Sequence, residues 1–235
     1  MDEHLLFLLN HQWTHPVLDR ALGTLSSMDF WIPFLVLGAV WIGWKKRARG
    51  VACIAICILG VGLNESCIAS PLKKLTHRAR PHQSIEGVRR VDVAPVRPRL
   101  LSLAYPMSIS HSGKPDPGDL MRRSFPSAHV LNATMLSVVL WAFLRWQGWL
   151  LLPLLMAWSR VYTGAHWPTD VLASLCLGIP FSLLLLMGCE SFWRGPLTRR
   201  YPGWTADAPH LVFPLRPKPD TVKPSVSLPT TASDQ

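Results

Sequence analysis

The sequence predicts an all-α integral membrane bundle of about five transmembrane helices, preceded by an N-terminal interfacial helix. Three observations predict it. Apolar residues gather into runs: Phe30–Trp44, Val51–Leu72 interrupted by Asn64 and Glu65, Val130–Leu144, Trp149–Trp158 and Val171–Met187. The runs are apolar around the whole helix rather than along one stripe, and few amphipathic segments lie between them to wrap such helices in a water-soluble shell. Trp31, Trp41, Trp44, Trp141, Trp146, Trp149 and Trp158 stand near run ends, where interfacial aromatics accumulate.

The elements follow in order. HLLFLLNHQWTHPVLDRAL lacks a basic start and has only a short apolar core, so it reads as an interfacial helix and not as a signal peptide. Lys45, Lys46, Arg47 and Arg49 form a tight basic connection between the first two runs, the pattern of a cytoplasmic loop beside anionic lipid. Placing that turn in the cytoplasm puts residues 73–127 outside, Arg145 inside and 159–170 outside again. Residues 1–190 then make one membrane domain without internal repeats. Residues 191–235 are basic and proline-rich, lack apolar periodicity, and are expected to be a disordered cytoplasmic tail.

The formal net charge of +10 would suggest nucleic acid in a soluble protein. Its placement in the first connection, the tail and the 73–127 segment argues instead for a lipid bilayer partner and no nucleic acid. Outer cations such as Lys73, Lys74, Arg78, Arg80, Arg89, Arg90, Arg97, Arg99, Lys114, Arg122 and Arg123 run against the positive-inside pattern unless they serve a bound anion. Cys53, Cys57, Cys67, Cys176 and Cys189 lie in or beside apolar runs with no CxxC pair, which marks them as packing residues. Asn64 and Glu65, inside the second run, suit helix–helix hydrogen bonding better than catalysis.

Three polar clusters fall on the predicted outer surface. In KKLTHRARP, residues 73–81, Lys73 and Arg80 stand near one helix end, and Pro81 disfavours helical geometry at Arg80. In RRSFPSAH, residues 122–129, Pro126-Ser127 starts a helix whose free N–H groups and positive dipole end make an anion site beside His129. In SRVYTGAHWPTD, residues 159–170, Pro168 starts a helix, and His166 and Asp170 have the spacing that lets a carboxylate fix an imidazole tautomer. Each cluster alone has a plainer reading: snorkelling cations, a Ser/Pro helix cap with an incidental histidine, or an interfacial His–Asp pair. Together they offer cations, an anion hole and two histidines. With no Gly-rich nucleotide loop, serine elbow or HExxH present, chemistry on a phosphoryl group remains.

Read in order, Lys73 with six residues to Arg80-Pro81, then Pro126-Ser127-Ala128-His129, then Ser159-Arg160 with five residues to His166 and three to Asp170, the chain resembles the type 2 phosphatidic acid phosphatase (PAP2) superfamily over residues 1–190. That superfamily shares its phosphate site with vanadium haloperoxidases. The resemblance implies phosphate clamping by Lys73, Arg80 and Arg160, with further donors from Ser127 and the amide of Ala128. It implies His166 as nucleophile forming a phosphohistidine, Asp170 as its orienting partner, His129 as acid to the leaving group, and no metal or other cofactor. The substrate would be a lipid phosphate monoester or diphosphate, of the phosphatidic acid, phosphatidylglycerol phosphate, undecaprenyl diphosphate or lipid A type. The site would face the periplasm or outside of a bacterial inner membrane.

Two alternatives share the fold: a lipid-to-lipid phosphotransferase, and a non-catalytic lipid-binding or scramblase-like protein. Two departures stand out. Ala128 occupies a position where the family usually has glycine, and residues 82–125 form a long outer loop with no family counterpart.

Overall fold

The structure, a computed structural model, describes residues 1–96, 101, 104–115, 123–206 and 208–212. It is mostly helical, at 74%. In chain order the elements are α1 (Asp2–Phe7), α2 (Pro16–Leu25), α3 (Met28–Leu63), α4 (Ser70–Thr76), α5 (Pro81–Ser84), β1 (Arg89–Asp92), β2 (Ser108–His111), α6 (Ala128–Leu144), α7 (Leu152–Tyr162), α8 (Pro168–Phe192), α9 (Thr198–Arg200) and α10 (Pro202–Thr205). Two continuous helical stretches, Met28–Thr76 and Pro168–Arg200, are long and apolar enough to cross a membrane.

The first stretch is two arms. Arg47 leaves helical geometry at φ 46° and ψ −127°, inside the basic connection. The arms pass so closely that a Cβ on Gly50 would stand 2.2 Å from the Ile42 carbonyl oxygen. Many outward-facing side chains on this hairpin are apolar, including Phe34, Leu37, Val40, Trp44 and Ile58, as are Leu172, Leu184 and Met187 on α8. Such surfaces suit hydrocarbon.

α6 is apolar all round for another reason: it is the central helix. It packs against α8, α3 and α7, and Val130, Leu131, Met135 and Val139 are fully enclosed. With lipid outside, close packing and buried hydrogen bonds hold such helices together. Asn64 on the second arm donates from Nδ2 to Asn132 Oδ1 on α6 at 3.1 Å, the helix–helix role expected of it. All five cysteines are free.

One expectation is corrected. The N-terminal segment is two short helices rather than one interfacial helix, and it enters the bundle: Leu6 and Asn10 are fully buried, Asp19 nearly so. Beyond Phe192, α8 continues through a π-helical segment into α9 and α10. Trp193 and Leu211 are buried there. Side-chain bonds to backbone hold this part: Trp193 Nε1 donates to Ala208 O at 2.9 Å, Arg49 Nε to Leu211 O at 3.0 Å, and Glu190 accepts from the amides of Leu211 and Val212. Residues 213–235 of the expected tail, and Arg97, Arg99 and Arg122 of the outer loop, lie outside the described residues.

Candidate active site

The polar clusters meet at one end of the bundle, where α4 and α7 finish and α6 and α8 begin. His77 closes α4 in a left-handed conformation (φ 45°), and Arg80 is extended at φ −76° and ψ 157° before Pro81 restarts the helix as α5. This is the turn expected from the steric demand of Pro81 on its predecessor. α6 starts at Ala128 with Ser127 as N-cap, and α8 starts at Pro168.

His166 sits in the turn between α7 and α8 and is 2% exposed. Its Nδ1 lies 3.8 Å from Asp170 Oδ2 and 3.5 Å from Ser124 Oγ. Asp170 is fully buried yet well supplied with donors, as a buried carboxylate must be. Ser124 Oγ donates to Oδ2 at 2.5 Å, the Trp167 amide to Oδ2 at 3.2 Å, and Arg78 Nη1 to Oδ1 at 2.7 Å. Burial pushes the His166 imidazole down to about 4; Asp170 raises it, and Arg160 and Arg80 lower it further. The resting ring is therefore neutral near pH 7.

Polar groups at the start of α6 and on α7 are less fully matched. Ser127 does not cap α6 with its side chain, and its buried Oγ has no hydrogen-bond partner among the described residues. Its amide donates to Ser174 Oγ at 2.9 Å. Arg160 is fixed by a short bond from Nη1 to Ser26 Oγ, while its buried Nε has no hydrogen-bond partner among the described residues. Arg160, His166, Arg80 and Lys73 are all close enough to act electrostatically on His129, in the first turn of α6. Lys73 also forms a 3.5 Å ion pair with the half-exposed Glu65.

The sequence candidates His166, Asp170, His129, Arg80, Arg160 and Lys73 thus lie close enough to act on one another electrostatically, with Ser127 and Ala128 beside His129 at the start of α6. Arg78 and Ser124 join them without having been singled out. They stand inside KKLTHRARP and RRSFPSAH, but nothing in those strings says that either side chain turns to Asp170.

The described part of the 82–125 loop buttresses this site. β1 and β2 pair antiparallel, Arg89 opposite His111. Strand alternation turns Arg89 and Val91 inward and Arg90 and Asp92 outward. Asn10 Nδ2 donates to Arg89 O and Tyr162 O, both at 2.7 Å, and Asn10 Oδ1 accepts from the Arg89 amide at 2.8 Å. Asp19 pairs with Arg89 and accepts from Tyr162 Oη at 2.6 Å. Gly164, at φ 68°, lets the turn before His166 lie against β1, where a Cβ would stand 2.6 Å from Arg89 O.

The sequence profile of the PAP2 superfamily matches residues 50–190. "Putative undecaprenyl-diphosphatase YbjG" of Escherichia coli (strain K12) is 47% identical over 72 residues, 29% of this chain and 32% of that protein. "Bacitracin transport permease protein BcrC" of Bacillus licheniformis is 35% identical over 75 residues, 31% of this chain and 34% of that protein. The similarity to these two curated relatives thus spans about a third of the length of each. The crystal structure of Aquifex aeolicus LpxE shares the fold: 79% of this chain aligns with 94% of that one at a TM-score of 0.53 and 24% identity.

Proposed function

The chain belongs to the PAP2 superfamily, and from that premise we propose that it is an integral membrane phosphatase acting on a lipid phosphate monoester or diphosphate. One observation carries the reading. Two buried donors, Ser127 Oγ and Arg160 Nε, are left without hydrogen-bond partners among the described residues, beside a helix N-terminus and a neutral histidine. Leaving such donors unmade costs about 1–3 kcal/mol each. A tetrahedral phosphoryl group would take both, along with the dipole end of α6 and the charges of Arg80, Arg160 and Lys73.

In this mechanism Nδ1 of His166 faces Asp170, so Nε2 attacks phosphorus in line. The N–P bond forms as the bond from phosphorus to the lipid oxygen breaks, and His129 gives its proton to that oxygen. A phosphate dianion among the surrounding cations favours the protonated form of His129 before attack. Water then attacks the phosphohistidine, His129 takes up its proton, and inorganic phosphate leaves with His166 restored. The clamp cations stabilise charge on the equatorial oxygens throughout. The site end faces the periplasm or outside, opposite the basic turn at Lys45–Arg49. The names and bacterial sources of the relatives, a putative undecaprenyl-diphosphatase among them, support a lipid phosphate substrate in a bacterial membrane.

The test is phosphate release by detergent-purified protein from phosphatidic acid, phosphatidylglycerol phosphate, lipid A and undecaprenyl diphosphate, with His166→Ala as control. Release that depends on His166 is expected. Transfer of labelled phosphate into a second lipid would replace hydrolysis by phosphotransfer, and binding without turnover would leave a non-catalytic lipid protein.

A further inference from the structure

The sequence motifs pair Asp170 with His166, but the contacts of Asp170 are dominated by other groups. Segment 78–80, after α4, and segment 123–124, before α6, run side by side. Ala79 and Arg123 form an isolated antiparallel bridge, and the Ser124 amide donates to Arg78 O at 2.6 Å. That short pairing delivers two side chains to one carboxylate. Arg78 Nη1 takes Oδ1 at 2.7 Å and Ser124 Oγ takes Oδ2 at 2.5 Å. Ser124 Oγ is also nearer to His166 Nδ1, at 3.5 Å, than Asp170 Oδ2 is, at 3.8 Å.

Arg78 is itself held from three directions. Its Nη2 pairs with Asp2 Oδ2 at 2.5 Å, its Nη1 donates to Thr169 Oγ1 at 2.8 Å, and its guanidinium lies 5.3 Å from the Trp167 ring centroid. Asp2 in turn accepts from the amide and hydroxyl of Thr169 at 3.0 and 2.6 Å, tying α1 to the start of α8. A guanidinium fixed in this way holds a carboxylate by direction as well as charge.

From this geometry, and resting on the phosphatase reading above, we infer that Arg78 and Ser124 are positioning residues for His166. Arg78 fixes the Asp170 carboxylate in place. Ser124 donates its proton to Asp170 and presents a lone pair to Nδ1–H, so that the imidazole keeps its proton on Nδ1 and its lone pair on Nε2. Neither residue touches the substrate. Their loss therefore slows attack on phosphorus and leaves substrate binding in place.

Ser124→Ala and Arg78→Lys are the variants to compare with the full-length wild type, on whichever lipid phosphate the wild type hydrolyses. Each is expected to lower kcat by about 10- to 100-fold, the range typical when a group orienting an active-site ligand is lost, with KM close to wild type. A wild-type kcat, or a loss confined to KM, overturns the inference. Ser124→Ala removes one buried oxygen and decides the matter if Arg78→Lys fails to fold.

Nitrogen-15 NMR of the histidines in the resting protein needs no turnover. It is expected to show His166 protonated on Nδ1 in the wild type and a mixed tautomer in Ser124→Ala. An unchanged tautomer overturns the inference. Wild-type protein that releases no phosphate from any of the four lipids contradicts the phosphatase reading, and the tautomer measurement then still decides the roles of Arg78 and Ser124.

Discussion

Two sides of the site are built on opposite rules. On the Nδ1 side polar groups are matched: Asp170 receives Ser124, Arg78 and the Trp167 amide, and Arg78 is itself clamped by Asp2 and Thr169. At the start of α6 and on α7, Ser127 Oγ and Arg160 Nε are buried without hydrogen-bond partners among the described residues. A matched side holds geometry; an unmatched side holds donors in reserve for a ligand. The difference separates orientation from binding within a single site, and it makes the two sides respond oppositely to substitution.

The largest effect expected on the unmatched side is from His129→Ala. Loss of a general acid should lower kcat about 10²- to 10⁴-fold on a lipid whose leaving oxygen needs a proton, and far less on an activated aryl phosphate. Equal losses on the two substrates would remove His129 from that role. Arg160→Ala should lower kcat/KM about 10²- to 10³-fold by removing a charge from the developing phosphoryl oxyanions. Competitive vanadate inhibition should weaken in parallel, and undiminished vanadate affinity would place Arg160 outside the clamp.

A smaller effect tests the comparison more sharply. Ser127→Ala removes a buried hydroxyl that bonds to nothing described, so thermal stability should hold or rise while kcat/KM falls. Ser124→Ala leaves a buried carboxylate short of a donor and should cost about 1–3 kcal/mol of stability. Equal stability losses in a thermal melt would erase the distinction between the sides.

The smallest effect is in pH. The imidazole of His166 is held down to about 4, by burial first and by Arg160 and Arg80, against the upward pull of Asp170. The neutral form is the nucleophile. The acid limb of kcat/KM, which reports the free enzyme, should therefore fall near pH 4, with activity kept at pH 5.5. Bound phosphate stabilises the imidazolium and should move the limb of kcat higher than that of kcat/KM. A kcat/KM limb at the ordinary histidine value near 6.5 would contradict the buried, cation-flanked ring.

Much of this was legible in the sequence because it rests on local rules. Pro168 and the Pro126-Ser127 pair mark helix starts, Pro81 forces Arg80 out of helix, and the spacing of His166 and Asp170 spans one helical turn. Arg78 and Ser124 were not legible as partners. Their meeting depends on a single bridge between segments some 45 residues apart in sequence, which leaves no periodicity to read. The helices after Phe192 are not legible for a related reason: they are held by single side-chain bonds such as Trp193 to Ala208 and Arg49 to Leu211, which leave no pattern in composition. The strand Arg89–Asp92 of the outer loop has a single apolar residue, Val91, and so carries no strand pattern in the sequence. Its anchor, Asn10, lies far away in α1's extension.

The most direct test of the central claim is to trap the covalent intermediate. Wild-type protein is mixed with a lipid labelled in its terminal phosphate, quenched in alkali within the first turnover, and the labelled residue is located by peptide mass spectrometry. Phosphate is expected on His166, stable in base, labile in acid, and missing from His166→Ala. Label on any other residue, or steady phosphate release with no labelled protein at the earliest times, would contradict it.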